Sequence, residues 1–355
     1  MRVAIHSDDY TNPARTHERD ASSPLWETLL TAKKCEVKRV NLLQDNVLEQ
    51  LKGCDALMWR WAHFGGMYRP ARRILRVVEE VLGLVVYPDQ KTCWHYDDKI
   101  AQIYLFRAHG IPHPRSWIWF DHQLALEWIE QLSDDSLPIV VKLATGAGAS
   151  NVQLARTRKE LGQYCSLMFE HFSTDLKKLP RLLSKVVGLQ QRIPIPIILG
   201  KRLEAQSEPQ RGYLFCQEFL ADNSYDTRVT VIGNRAFAFQ RKNREKDFRA
   251  SGSGAIEWEE KRIDRRIVQL AFRVADALNM TSCAIDCIYD ESRNPVVVEV
   301  SYTYASWAVE ACPGHWFRDS ASGNVLTWVD APMAPEEAQV ECVLSALERR
   351  SSAEA

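Results

Sequence analysis

The sequence contains none of the features that would place it in a membrane or in an oxidising compartment. No apolar run reaches the roughly 18 residues that a membrane helix needs, and the start MRVAIHSDDY is too short and too polar for a signal peptide. The nine cysteines are odd in number and include no Cys-x-x-Cys pair, which favours free thiols over a disulfide framework. We therefore expect a cytoplasmic protein with no membrane span.

The chain also has no excess of charge of either sign. Lys and Arg total 45, Asp and Glu total 46, and the formal net charge is −1. Such a balance provides no bulk charge for attracting nucleic acid, so we expect no nucleic-acid partner. Hydrophobic residues make up 46% of the 355 residues, which is enough for a sizeable core and for two or three structural units.

Strand and helix patterns alternate up to about residue 92 and indicate a parallel α/β unit. Apolar strands such as MRVAIHSDD and LVVYPDQ alternate there with helical segments such as SPLWETLLTAKKC. Later segments predict two hairpins, one turning at Gly233-Asn234 and one at residues 290–295. The character of the sequence changes over residues 160–210, which we interpret as a helical insertion on a domain.

The second predicted hairpin places two carboxylates close together. In SCAIDCIYDESRNPVVVEVSY, Asp286 and Glu299 lie on adjacent strands, and Ser301 follows on the same face two residues later. Two carboxylates this close repel each other unless one is protonated or a cation bridges them. Oxygen ligands on one face suit Mg²⁺, which usually binds substrate phosphates as well. The alternative is that one carboxylate points outward as a solvated strand residue.

A lysine that precedes a glycine loop is a candidate for phosphate binding. In VVKLATGAGASNV, Lys142 lies on a strand before Gly146 and Gly148, which have no Cβ and so let backbone N–H groups approach an anion. The order differs from the P-loop, because the lysine comes first and no Gly-Lys-Ser/Thr follows. Taken alone, the loop is better explained as a polar hairpin tip.

Other polar residues stand out on apolar strands or at helix starts. Lys99 follows two acids in YDDKIAQ, and taken alone it is better explained as an ordinary surface lysine. Glu218 in CQEFL could accept a hydrogen bond from an adenine amino group, with backbone groups of Phe219 and Leu220 at the purine edge. Arginines near a glycine loop suit an acyl phosphate or a carboxylate, because a guanidinium group binds two oxygens. These arginines are Arg228, Arg241 and Arg249.

The order of these segments resembles the ATP-grasp superfamily, and most of all the ribosomal-protein glutamate ligases, with glutathione synthetases more distant. The match covers about residues 93–310 and is carried by YDDKIAQIYLFRAHGIPHP, PIVVKLATGAGASNV, CQEFL, DTRVTV, DFRAS and VVVEVS. The resemblance implies an α/β and α+β protein with the ATP-grasp fold, in which two α+β lobes clasp ATP after an N-terminal parallel α/β domain. The implied boundaries are 1–92 for the N-terminal domain, 93–216 for the small lobe with its insertion, 217–335 for the large lobe with the Mg²⁺ site, and 336–355 for a C-terminal helix and tail.

The resemblance also implies a role for each matched residue. ATP would be bound by Lys99, Lys142, Gly146, Gly148, Glu218, Phe219, Leu220, Asp226, Ala250 and Ser251. Mg²⁺, or Mn²⁺ in its place, would be held by Asp286, Glu299 and Ser301. The family usually has Asn where this chain has Ser301, so the resemblance leaves open whether one or two metal ions bind. The carboxylate and the tetrahedral intermediate would be bound by Arg228, Arg241 and Arg249.

The activity implied by the resemblance is ATP-dependent carboxylate–amine ligation through an acyl phosphate, with release of ADP and phosphate. The substrates would be a small carboxylate and an amine, such as an amino acid, a peptide or a sugar acid, and such ligases are commonly homo-oligomers. Two alternatives remain, a kinase that phosphorylates a small molecule and a nucleotide-binding protein without catalysis. The N-terminal domain would help select the acceptor if Arg60 and the neighbouring aromatic residues Trp59, Trp61 and Phe64 contact a ligand. The alternative is that these aromatic residues belong to the hydrophobic core.

Overall fold

The computed structural model describes residues 1–8, 21–62, 67–146, 152–169, 211–244, 250, 254–319 and 325–354. Its strands are β1 (Arg2–His6), β2 (Glu36–Val40), β3 (Ala56–Met58), β4 (Val85–Tyr87), β5 (Ser116–Trp119), β6 (Ile139–Lys142), β7 (Val152–Ala155), β8 (Leu214–Glu218), β9 (Tyr225–Ile232), β10 (Arg235–Lys242), β11 (Ile256–Glu257), β12 (Ser282–Tyr289), β13 (Pro295–Ser301), β14 (His315–Asp319) and β15 (Val325–Val329). Its helices are α1 (Ser23–Ala32), α2 (Val47–Gln50), α3 (Tyr68–Glu80), α4 (Gln90–Cys93), α5 (Lys99–Ala108), α6 (His122–Gln131), α7 (Arg158–Phe169), α8 (Arg265–Ala277), α9 (Ser306–Glu310) and α10 (Pro335–Glu354), with 3₁₀ turns at Asp134–Ser136 and Glu260–Arg262.

The N-terminal unit is a four-stranded parallel sheet with the order β2-β1-β3-β4, as the alternating pattern predicted. On one face, Ile5 of β1 and Trp26 of α1 are fully buried together with apolar residues of α10, among them Val343 and Leu347. The C-terminal helix therefore covers the N-terminal sheet, although it is the last element of the chain. This long-range contact removes the apolar face of α10 from water.

The small lobe is a four-stranded antiparallel sheet with the order β5-β8-β6-β7, covered by α6 and α7. Strands β6 and β7 flank the glycine loop and pair from Ile139 and Ala155 to Lys142 and Val152. Strand β8 pairs with β5 and β6 as far as Glu218, so the boundary predicted between residues 216 and 217 lies within this strand. Most of the predicted insertion, residues 170–210, lies outside the described residues.

The large lobe is a seven-stranded sheet in which β13-β12-β9-β10-β14-β15 are neighbours and β11 pairs with β10. The β9–β10 hairpin turns at Gly233, as predicted, with a φ of +59° that glycine adopts without steric cost. The β12–β13 hairpin brings Asp286 directly opposite Glu299, and its register shifts just after this pair. The predicted pairing of the two acids across adjacent strands is therefore present in the fold.

The N-terminal unit is fastened to the large lobe by Arg60, which is only 6% exposed. Arg60 Nε donates to Thr303 Oγ1 at 3.1 Å, Nη1 to Ser22 Oγ at 3.1 Å, and Nη2 to the main-chain oxygen of Tyr304 at 2.9 Å. The neighbouring Trp59 and Trp61 are each 1% exposed, so both belong to the core. Phe64 lies outside the described residues. The buried arginine thus joins two parts of the chain.

Two features bear on general expectations from the sequence, namely the state of the cysteines and the length of the helices. All nine cysteines are free, and all but Cys342 are buried. No helix in the described part of the chain is long and apolar enough to cross a membrane.

Candidate active site

A lysine and a glutamate meet where the two lobes face each other. Helix α5 begins at Lys99 because Asp98 caps it by accepting a hydrogen bond from the N–H of Ala101 at 2.9 Å. Lys99 Nζ lies 3.2 Å from Oε1 of Glu299, which β13 contributes from the large lobe. The cation that compensates Glu299 is therefore Lys99, and the same contact joins the predicted nucleotide residues to the predicted metal residues.

The start of the glycine loop is held by the residues around the start of α5. Lys99 Nζ donates to the carbonyl oxygen of Gly146 at 2.9 Å, and the N–H of Gly146 donates to Oδ1 of Asp97 at 2.7 Å. The φ of Gly146 is +116°, a conformation open to glycine and costly for other residues. The loop is thus anchored at Gly146, whereas Gly148 lies outside the described residues.

Lys142 is buried at the end of β6, beside Lys99. Its Nζ donates to Oε1 of Gln217 on β8 at 2.5 Å. Burial and the nearby charge of Lys99 lower the pKa of Lys142 to about 8, although Glu299 acts in the opposite direction. Burial also opposes the charge of Lys99, but Glu299 and Asp97 outweigh it and raise that pKa. Lys99 is therefore paired with Glu299 and Asp97, whereas Lys142 makes a hydrogen bond to Gln217 and no ion pair among the described residues, which leaves its ammonium group available to an anion such as phosphate.

Asp286 is the centre of a buried ion-pair cluster, which we call the arginine cluster and which consists of Asp226, Arg228, Arg241 and Asp286. Arg228 binds both oxygens of Asp286, with Nε at 2.7 Å and Nη2 at 2.8 Å, and Nη2 of Arg241 donates to Asp286 at 2.8 Å. Burial opposes ionisation of Asp286, but the two guanidinium groups outweigh it and hold the pKa of this carboxyl well below its usual range. Asp286 is therefore a carboxylate at neutral pH.

The second acid of the arginine cluster is Asp226, both of whose oxygens are bound by Arg241, at 2.8 Å from Nε and 2.5 Å from Nη2. The register explains the cluster, because Asp226 lies opposite Arg241 and Asp286 lies opposite Arg228. Asp226 is thus a partner of an arginine in this structure, and its contact with a ribose stays a prediction. Arg249 lies outside the described residues.

The residues that could hold a Mg²⁺ ion are Asp286 and Glu299, which in this structure are bonded to the arginines of the cluster and to Lys99 respectively. Asp286 and Glu299 are opposite each other in register, and the hydroxyl of Ser301, which donates to the carbonyl oxygen of Thr303 at 2.7 Å, keeps its oxygen lone pairs. Among the described residues, no group of three or more His, Cys, Asp or Glu side chains is placed to hold a metal ion. A site with two carboxylates is therefore incomplete without ligands from a substrate, which is the usual arrangement for Mg²⁺.

The predicted adenine residues lie at the end of β8 and in the connection to β9. One carboxylate oxygen of Glu218 accepts from the N–H of Arg115 at 2.6 Å, which ties it to the main chain beside β5. Phe219 and Leu220 follow, both half-buried, and the Leu220 carbonyl accepts from Nδ2 of Asn223 at 3.3 Å. Their contacts with adenine stay predictions.

The last two residues predicted to bind ATP belong to the segment after β10. Ala250 is buried, whereas Ser251 lies outside the described residues. Their contacts with phosphate also stay predictions.

Two positioning residues were missed by the sequence analysis. Gln102 fastens α5 to β13, since its Nε2 donates to Val300 O at 2.7 Å and its Oε1 accepts from Val300 N at 3.0 Å. Gln217 orients Lys142. The available signal for Gln102 was its spacing of three residues from Lys99, which places both on one helix face. The available signal for Gln217 was a polar residue on an apolar strand.

A cavity of about 250 Å³ opens beside the arginine cluster. Arg228 and Arg241 form one part of its wall, and the rest is mainly apolar, including Phe239, Ile256 and Trp307. The cavity therefore combines hydrogen-bond donors with an apolar interior, as small-molecule sites commonly do.

Comparisons with known proteins show which proteins the chain resembles. A family profile described as the RimK-like ATP-grasp domain matches residues 196–310. The chain is 25% identical over 225 residues to the alpha-aminoadipate–LysW ligase LysX of Saccharolobus solfataricus, and the match spans 63% of this chain and 68% of LysX. The predicted resemblance to ATP-grasp ligases, which are enzymes that form C–N bonds, is thereby confirmed.

Solved structures extend the likeness to the whole chain. The D-alanine–D-alanine ligase of Bacillus anthracis superposes with a TM-score of 0.57 at 13% identity and 100% coverage of both chains. The ATP-grasp ligase PsnB, solved with a minimal precursor, Mg and ADP, superposes with a TM-score of 0.55 at 12% identity and 98% coverage of both chains. At these identities the superpositions establish the fold, and the ATP-grasp fold predicted from the motifs is confirmed.

Proposed function

Because the chain has an ATP-grasp fold with a RimK-like ATP-grasp domain, we propose that it is an ATP-dependent ligase that joins a small carboxylate to an amine. The observation that carries the proposal is the group of Lys99, Lys142, Gly146 and Glu299, drawn from both lobes and adjacent to Asp286. Such a group provides what phosphoryl transfer requires, namely cations around the phosphates and paired carboxylates for a metal ion.

In this proposal the two lysines bind the phosphates of ATP. Lys142 is the stronger candidate for a phosphate contact. Burial and the nearby charge of Lys99 disfavour its ammonium group, and a bound anion would compensate that charge. Lys99 is already paired with Glu299 and bonded to Gly146, so it also holds the glycine loop in place. The proposed nucleotide site is completed by Gly148, Glu218, Phe219, Leu220, Asp226, Ala250 and Ser251.

Asp286 and Glu299 would hold Mg²⁺, or Mn²⁺ in its place, with Ser301 beside them. When bound, the ion supplies positive charge that offsets the repulsion between the phosphates and an approaching carboxylate. The chain contributes two carboxylates from opposite register positions, one of them kept ionised by the arginine cluster.

The proposed reaction has two steps. A carboxylate oxygen attacks the γ-phosphorus of ATP, the bond to the bridging oxygen breaks, and ADP leaves. An amine then attacks the carbonyl of the acyl phosphate, phosphate leaves with the bonding electrons, and the amine gives up a proton. Among the described residues, Nη1 of Arg228 and Nη1 of Arg241 have no hydrogen-bond partner, so both can orient the carboxylate and stabilise the oxyanion. Arg249 is a third candidate for this role.

The proposal is tested by ADP release in the presence of ATP, Mg²⁺ and mixtures of carboxylates and amines. We expect Lys142→Ala and Glu299→Ala to abolish substrate-dependent ADP release, because each removes a charge that contacts the phosphates or the metal ion. The control is Glu291→Ala, in the exposed turn of the same hairpin, which should release ADP like the wild type. Wild-type turnover by either of the first two variants would remove the assignment, and a stable phosphorylated product formed without any amine would identify a kinase.

A further inference from the structure

The cavity beside the arginine cluster has chemistry that restricts its occupant. Phe239 and Val309 are 3% and 1% exposed, and they line the interior together with half-buried Ile256 and Trp307. The volume of about 250 Å³ lies below the range of about 300–1,000 Å³ found for drug-sized ligands, which fits an occupant the size of a single amino acid. Shape and composition therefore favour a small apolar body.

The charges at the cavity wall limit the occupant to one carboxylate. Arg228 and Arg241 are balanced by Asp226 and Asp286, so the arginine cluster carries no net charge. The Nη1 groups of the two arginines make no hydrogen bond among the described residues, and together they can bind both oxygens of one carboxylate. A second carboxylate would be buried against aromatic and aliphatic groups without a partner, which is strongly unfavourable.

The wall is also held in place, which makes it selective. The carbonyl of Ala308, a lining residue on α9, accepts from Nε1 of Trp258 at 2.9 Å. The Tyr304 hydroxyl is bonded to Ser282 Oγ and to Nε2 of Gln339, both at 2.8 Å, so its ring cannot easily turn out of the wall. Groups locked by hydrogen bonds and packing discriminate better than mobile ones.

We propose that this cavity binds the carbon skeleton of the carboxylate substrate, and that this substrate is a monocarboxylate with an aromatic or branched aliphatic group. The inference rests on the proposed ligase function and adds the substrate class. The carboxylate faces Arg228 and Arg241 beside Asp286, and the apolar group lies between Phe239 and Trp307.

A panel of carboxylates tests this proposal. Each is incubated with ATP, Mg²⁺ and hydroxylamine, a general nucleophile that converts an acyl phosphate to a hydroxamate and phosphate, and both hydroxamate and ADP are measured. We expect kcat/KM for phenylalanine or leucine to exceed that for glutamate and for glycine by about 10- to 200-fold, the discrimination that an apolar pocket provides. A preference for glutamate would overturn this inference and leave the ligase function standing. No ADP and no hydroxamate with any carboxylate would overturn both.

A pair of variants three residues apart supplies the structural control. Ala308→Leu adds bulk to the cavity wall, whereas Ala311→Leu adds the same bulk at the exposed residue that follows α9. We expect Ala308→Leu to lower kcat/KM for the preferred carboxylate about tenfold or more, and Ala311→Leu to behave like the wild type. Equal effects of the two variants would overturn the proposal. If Ala308→Leu does not fold, Ile256→Ala replaces it as the test. This variant enlarges the cavity and should shift the substrate preference toward bulkier carboxylates. An unchanged preference would contradict the proposal.

Discussion

The affinity for nucleotide should fall as the pH rises above 8, and Lys142 should be the reason. Burial beside Lys99 lowers the pKa of Lys142 to about 8, so the free protein loses this positive charge within an accessible pH range. A phosphate group favours the ammonium form, and binding above pH 8 therefore requires uptake of a proton. The direction of the pH dependence follows from this linkage. Affinity for nucleotide is highest at a pH where Lys142 is already charged, and it decreases as Lys142 deprotonates.

The magnitude follows from the pKa. With a pKa of about 8, roughly nine-tenths of the molecules carry the Lys142 ammonium at pH 7 and about one-tenth at pH 9. The dissociation constant should therefore rise about tenfold between these two pH values. Replacement by arginine, which stays protonated throughout, should remove this part of the pH dependence even if the different shape weakens binding overall.

The measurement is a titration of each protein with a fluorescent ATP analogue and Mg²⁺ at several pH values from 7 to 9. Titration of the nucleotide itself affects the wild type and Lys142→Arg equally, so the difference between their slopes isolates the lysine. Parallel slopes for the two proteins would refute the reasoning, since they would show that Lys142 does not change its protonation when nucleotide binds.

Two matched pairs of variants test the packing of the fold by urea unfolding. Gly314→Ala should destabilise the protein by about 3 kcal/mol, because a Cβ there would overlap the main-chain oxygen of Val329. Gly162→Ala, in a helix with open space around the new Cβ, should instead stabilise it by about 0.5 to 1 kcal/mol. Arg60→Ala should cost about 3 to 5 kcal/mol, because it leaves the buried carboxylate of Asp8, which lies 3.9 Å from Nη1 of Arg60, without its cation. Arg76→Ala, which breaks an exposed pair on α3, should change stability by less than about 0.5 kcal/mol. If both variants of a pair lowered the free energy of unfolding by the same amount, the explanation given for that pair would be wrong.

Local features of the structure were predictable because they depend on neighbouring residues. The start of α5 follows from Asp98 as the cap, and the β9–β10 hairpin follows from a glycine that permits its turn. The opposition of Asp286 and Glu299 was also accessible, because a short turn between two apolar strands leaves few registers that bury the apolar side.

The partners of the charged residues were not predictable in the same way. The ion pair between Asp226 and Arg241 was not predicted, because it depends on the register between β9 and β10. Arg60 was considered for substrate selection, yet it bonds to Thr303, more than 240 positions later in the chain. Contacts at such separations leave no local pattern in the sequence, since the partner of a charge is chosen by the approach of whole elements.

The amino-acid sequence alone determined the kinds of elements and the order of the chemical groups along the chain, because turns, caps and apolar periodicity act over a few residues. Only the tertiary structure decided which charges compensate one another and where an unfilled apolar space remains. Burial is the physical reason, because it changes the pKa of Lys142 and Asp286 and the cost of each unpaired group, and burial exists only after distant elements have packed together.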